Sequence, residues 1–168
     1  AGSNLEANGL TALVLLNTIL GAAAATLAWC AGEWLTRGHA SFLGAASGMV
    51  AGLVAITPAC GWVGPMSAIV IGGLAGFICL FAVVWLKNML GYDDALDVFG
   101  VHGIGGIVGA ILTGIFVNPA LGGMGVTDYL AADNSATVAA YSFGTQMTAQ
   151  IVAVIVAVVW TTVVTLVA

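Results

Sequence analysis

The side chain best placed for chemistry is His102, set in Asp97 to Gly106 (DVFGVHGIGG), several residues inside an otherwise apolar run. An ionisable group at that depth is expensive, and by default it marks a pathway or a partner. A neutral imidazole offers one donor and one acceptor, which suits a small polar solute passed along a chain of hydrogen bonds. It does not suit a hydrated cation, for which rings of carboxylates or carbonyls are expected. The competing reading is a packed histidine satisfied by a nearby backbone carbonyl.

The acids lie elsewhere. Glu33, beside Trp34 and Arg37, reads as an interfacial residue. Asp93, Asp94 and Asp97 cluster just ahead of His102, where acids complement the positive end of a helix and cap its free N–H groups. The absence of a deep carboxylate argues against a proton-coupled pump. His39 reads as a solvated turn residue. No nucleophile elbow is present, and no His/Cys/Asp/Glu set has metal-ligand spacing. The glycines of Gly103 to Gly109 follow no strand, so a dinucleotide loop is rejected. Cys30, Cys60 and Cys79 are widely spaced in or beside apolar stretches and read as small buried hydrophobes. No enzyme activity, cofactor or metal is expected.

These residues must be held by something that tolerates little water. Of 168 residues, 61% are hydrophobic and only 5% charged, against about 25% charged in a soluble domain. Lipid is therefore the expected solvent for most of the exterior. Arg37 and Lys87 are the only Lys or Arg residues, too few for a nucleic-acid surface. Five stretches approach the roughly 20 apolar residues that cross a bilayer: Leu10–Leu35, Ser41–Ala59, Met66–Leu90, Asp97–Val117 and Thr145–Ala168. Helices satisfy their own backbone in hydrocarbon, so the expected fold is all-α, a polytopic bundle of about five transmembrane helices. Trp29, Trp34, Trp62 and Trp85 lie near span ends, as interfacial anchors do. The longest connection, Asn118 to Phe143, is polar and Gly-rich and contains Asp128 and Asp133.

Arg37 follows the first span and Lys87 the third, so both should face one side. The positive-inside rule makes that side cytoplasmic, with the start of the chain and the acidic loop outside and Ala168 inside. Gly44, Gly48 and Gly52 form a stripe at four-residue spacing on the second span. Gly72 and Gly76 repeat it on the third, and Gly105 and Gly109 on the fourth, beside a second small row of Gly106, Ala110 and Gly114. Such stripes let helix backbones approach closely in lipid. The chain opens on Ala1 with no signal peptide and ends while still apolar, which reads as a piece of a longer protein.

The segment Asp93 to Gly109 (DDALDVFGVHGIGGIVG) closely resembles the tenth-span signature of Amt-type ammonium transporters of the Amt/Rh family. The stretch Gly32 to Gly61 (GEWLTRGHASFLGAASGMVAGLVAITPACG) resembles their seventh and eighth spans, and Ala1 to Asn4 resembles the external end of the sixth. The resemblance implies an eleven-span, inverted-repeat fold that assembles as a homotrimer with one pore per subunit. Residues 1–168 would be the C-terminal portion of that single membrane domain, spans seven to eleven. It implies ammonium or ammonia as substrate, His102 as the second of two pore histidines, Val98 as pore-lining and Ser3 as part of external substrate recruitment. It further implies Asp94 and Asp97 as the acids that fix the helix start, and PII-type regulators as partners on the cytoplasmic face of a cell membrane. The first-half pore histidine, the external phenylalanine gate, the recruitment tryptophan and the cytoplasmic tail have no counterpart in these residues. An alternative within the family is an ammonium-sensing module coupled to a signalling domain.

Overall fold

The structure, a computed structural model, describes residues 5–128 and 137–167. Each of the five apolar stretches is helical. Helix α1 (Gly9–Arg37) starts where the Asn8 side chain accepts from the Thr11 N–H at 3.1 Å. It stops at Gly38, whose left-handed φ of 79° turns its own N–H back onto the Trp34 carbonyl, a geometry glycine adopts without a Cβ penalty. Helix α2 (Phe42–Ile56) is capped by the Ser41 hydroxyl. Helix α3 (Pro65–Phe81) begins with proline at its first position and runs through a π turn (Ala82–Leu86) into the short α4 (Lys87–Leu90). A second π turn (Phe99–Gly103) leads into α5 (Ile104–Phe116), and α6 is Phe143–Val167.

Among the described residues four helical runs are long and apolar enough to cross a membrane: Gly9–Arg37, Pro65–Leu90, Phe99–Phe116 and Phe143–Val167. The second expected span is shorter. Its helix has 15 residues, about 22 Å at 1.5 Å per residue. Pro58, which has no N–H to extend the ladder, follows at once, and the chain continues through irregular turns to Val63, where Val63 N–H still reaches the Ala59 carbonyl. The fourth span starts later than its composition suggests. Asp97 has a φ of 56° and stands outside the helix. The long connection holds a 3₁₀ turn (Pro119–Leu121) and two three-residue strands, β1 (Val126–Asp128) and β2 (Thr137–Ala139), paired antiparallel with Val126 opposite Ala139. This small hairpin was not legible in the pattern and leaves the class all-α.

The glycine stripes set the packing, and they find their partners within the chain. A Cβ at Gly72 would overlap the Gly21 carbonyl, and one at Gly76 the Ala25 carbonyl. Residue numbers rise together along that seam, so α1 and α3 run parallel. Gly52 faces Ala25, Gly48 faces Trp29 and Gly44 faces Glu33, so α2 returns antiparallel on α1. Gly109 lies against the Ala55 carbonyl and Gly105 against Cys79, which docks α5 on α2 and α3. Arg37 and Lys87 therefore stand at the same end of the bundle. Lipid offers no hydrophobic gain for helix association, so this backbone-to-backbone contact is the cohesive term. Trp29, expected at an interface, is 3% exposed and packs in the core with Ala51, Cys79, Leu80 and Val101.

Some interior polar groups are matched over long range, while Asn17 Oδ1, Trp29 Nε1 and the Tyr92 hydroxyl are buried with no hydrogen-bond partner among the described residues. Asn17 is fully buried, and its Nδ2 donates to the carbonyls of Cys60 and Val63 at 2.8 Å each. Those carbonyls lie where α2 has ended and helical partners run out. Glu33 is also buried, not interfacial, at 4% exposure. Helix α6 has no buried residue. It touches α5 where Gly114 meets Met147 and Gln150.

Candidate functional site

Beyond the Gly114 contact, α5 and α6 part to leave a cleft of about 740 Å³. One wall is a single helical face made by Phe99, His102, Gly106 and Ala110, and α6 supplies Thr161 and Thr165 opposite. Among the described residues no carboxylate lines it. His102 is exposed to this space. The second small-residue row thus serves two ends: a Cβ at Gly106 would meet nothing within 4 Å, so that position leaves the cleft open, whereas Gly114 seats α6 and Gly105 and Gly109 close the seam with α2 and α3.

His102 sits in the π turn. The Ile104 N–H donates back to the Phe99 carbonyl, five residues earlier, and such single π turns are common at functional positions. The turn is held at its start by the acids. Asp94 Oδ2 accepts from the N–H groups of Phe99 and Gly100 at 3.0 and 3.2 Å, satisfying donors that have no intrahelical partner. Asp97 does not cap. Its Oδ1 accepts from Lys87 Nζ at 2.9 Å and its carbonyl accepts from Val101 N–H at 2.9 Å. Lys87 Nζ also donates to the Asp94 carbonyl. Tyr92 stacks edge-on against Phe99, with ring centroids 5.4 Å apart.

The other predicted positions fall apart from this centre. Val98 is about half exposed beside the π turn and does not line the cleft. Ser3 lies outside the described residues. Asp93 and His39 are exposed. Among the described residues no group of three His, Cys, Asp or Glu could hold a metal ion, and the three cysteines are free, Cys79 buried and the other two partly so. Lys87 was not foreseen as part of the site, because its partners Asp94 and Asp97 are brought to it only by the turn after α4.

A bundle of apolar helices joined by glycine seams, with an imidazole facing a cleft that no acid among the described residues lines, defines a multi-pass membrane protein. The chain belongs to the Ammonium Transporter Family, whose model matches residues 1–168, a family of membrane transporters and not of enzymes. It is 51% identical over 123 residues to an ammonium transporter of Aquifex aeolicus, covering 73% of this chain and 29% of that protein. Its fold matches the crystal structure of Mep2 from Saccharomyces cerevisiae with a TM-score of 0.81 and 34% identity, over 98% of this chain and 38% of that one. It also matches a solved chain described as a sensor Amt protein, with a TM-score of 0.75 and 32% identity, over 95% of this chain and 36% of the other. The chain thus spans about a third of the length of these relatives.

Proposed function

We propose that this chain supplies one wall of a pore that moves ammonium as neutral ammonia, with His102 as the hydrogen-bonding group. The observation that carries the reading is an imidazole exposed in a largely apolar cleft that no carboxylate among the described residues lines. A bare cation in such a space would lose its hydration without a counter-charge, at a cost of several kcal/mol or more. Releasing the proton removes most of that cost, and the neutral solute can then donate to or accept from the ring. The chain's share of its relatives' length supports a second wall contributed by further spans.

In this reading Val98 flanks the pathway, Ser3 belongs to an external recruitment site, and Asp94 and Asp97 hold the helix start. The end carrying Arg37 and Lys87 is cytoplasmic in a cell membrane, the assembly is a homotrimer, and a PII-type regulator is a candidate partner on that face. The test is His102→Ala in the full-length protein, with methylammonium uptake, ammonium-over-methylammonium selectivity and membrane yield measured together. A changed rate or selectivity at unchanged yield is expected. Unchanged uptake and selectivity would make His102 a packing residue and sink the pore reading. Retained tight ammonium binding with negligible flux in the unsubstituted protein would favour the sensor alternative.

A further inference from the structure

We propose that Lys87 is a positioning residue for His102, acting through the π turn that carries it. The inference rests on the reading of His102 as a pore group. Lys87 does not line the cleft. Its Nζ bridges two points of the following turn, the backbone carbonyl of Asp94 and the carboxylate of Asp97, ten residues on. Those two residues are the ones that anchor the π turn. Asp94 holds the N–H groups of Phe99 and Gly100 through its side chain, and Asp97 holds the N–H of Val101 through its carbonyl. Three consecutive donors at the start of the turn therefore hang from two residues that one ammonium group grips.

The grip bears on an unusual backbone: Asp97 sits at a φ of 56°, in the left-handed region that is uncommon for residues other than glycine, though Asp enters it more readily than most. Its backbone is tied through its N–H to the Asp94 carbonyl at 3.1 Å and through its carbonyl to the Val101 N–H at 2.9 Å, which leaves its carboxylate to find a partner. Lys87 supplies the partner from the far end of α3's span, and the two π turns are in contact beside it: a Cβ on Gly100 would come within 2.7 Å of Val83 Cγ2. A π turn inserts one residue into the helical count, so the direction in which His102 leaves the backbone depends on where the turn begins. Lys87 fixes that beginning. The residue should thus tune what the imidazole does while touching neither substrate nor ring.

The experiment is a double-mutant cycle in the full-length protein, reading methylammonium uptake and ammonium-over-methylammonium selectivity at matched membrane amounts. Lys87→Met, which keeps the stem and removes the charge, is expected to lower uptake by about tenfold, a size typical of coupled neighbours. Its selectivity should move in the same direction as that of His102→Ala. Lys87→Arg should stay within about threefold of the starting protein, because a guanidinium still offers several donors to the same acceptors. In a His102→Ala background Lys87→Met should add less than about twofold, and Asp97→Gly should recover part of the Lys87→Met loss, since glycine holds a left-handed φ unaided. Equal losses in both backgrounds, or unchanged selectivity in Lys87→Met, would overturn the positioning role while leaving the pore reading intact. No effect of His102→Ala would overturn both. Should Lys87→Met fail to reach the membrane, Asp97→Asn is read in its place. Failure of both to assemble would make the grip a folding requirement and overturn the proposal.

Discussion

Ser41 gives both of its donors to Glu33, the backbone N–H at 2.7 Å and the hydroxyl at 3.0 Å, while the same hydroxyl accepts from the Gly44 N–H at 2.9 Å. A buried carboxylate at the end of α1 is thereby stitched to the first turn of α2. Its only cationic neighbour among the described residues, Arg37, approaches no closer than 3.7 Å, so hydrogen bonds and the start of α2 carry most of the compensation. Glu33→Ala is expected to lower stability by about 2–3 kcal/mol, the scale of charge-assisted bonds lost with buried donors left behind. Glu33→Gln, which keeps one acceptor, should cost about half as much. Thermal denaturation in detergent, followed by loss of the monodisperse chromatographic peak, measures both. Equal stability of all three proteins would show that the stitch contributes nothing.

Two adjacent glycines give a matched comparison. Gly72 faces the Gly21 carbonyl with no room for a methyl group, whereas Gly73 has nothing within 4 Å of its would-be Cβ. Gly72→Ala should force α1 and α3 apart and cost about 1–3 kcal/mol, as overpacking does. Gly73→Ala should be neutral or slightly stabilising, by up to about 1 kcal/mol, because alanine is the better helix former. The same melting assay decides it, and a Gly72→Ala protein as stable as Gly73→Ala would contradict the parallel seam.

The shared end of Arg37 and Lys87 bears on orientation. The parallel run of α1 and α3 puts both cations on one side, and the bias of positive charge towards the cytoplasm assigns that side. Single cysteines placed at Arg37 and at Asp128, in a protein whose Cys30, Cys60 and Cys79 have been replaced by alanine, are to be challenged with a membrane-impermeant thiol reagent on intact cells. Labelling is expected at position 128 and not at 37. The opposite pattern would invert the assignment.

Much of this architecture could be read from composition and spacing. The five apolar stretches, the glycine stripes and the imidazole at depth are local signals, each carried by residues within one helix. What escaped depends on distant partners. Asn17 looks like an ordinary polar residue in an apolar run until the chain returns 43 and 46 residues later with two unpaired carbonyls. Glu33 beside Trp34 and Arg37 has the neighbours of an interfacial residue, and only the return of α2 buries it. Trp29 is similar: its burial is decided by Gly48 on the next helix. The late start of the fourth span turns on one backbone angle at Asp97, which no hydrophobic pattern encodes. Of the site, the pattern singled out His102 and Asp94, whereas Lys87 required a contact made around a loop.

The π turn at Phe99–Gly103 also sets what kinds of change the region can absorb. One residue corresponds to about 100° of rotation along a helix. A π turn carries one residue more than an α turn of the same reach, so removing one of these five positions would let it close as regular α-helix, with everything downstream held nearly in phase with the acids at the start. Gly105 and Gly109 would then stay against Cys79 and Ala55, whereas the same removal inside α5 would drive larger side chains against the α2 backbone. The π turn is therefore the place in this span where a change in residue count is best absorbed, and among related sequences a one-residue difference in length should fall there and not in α5.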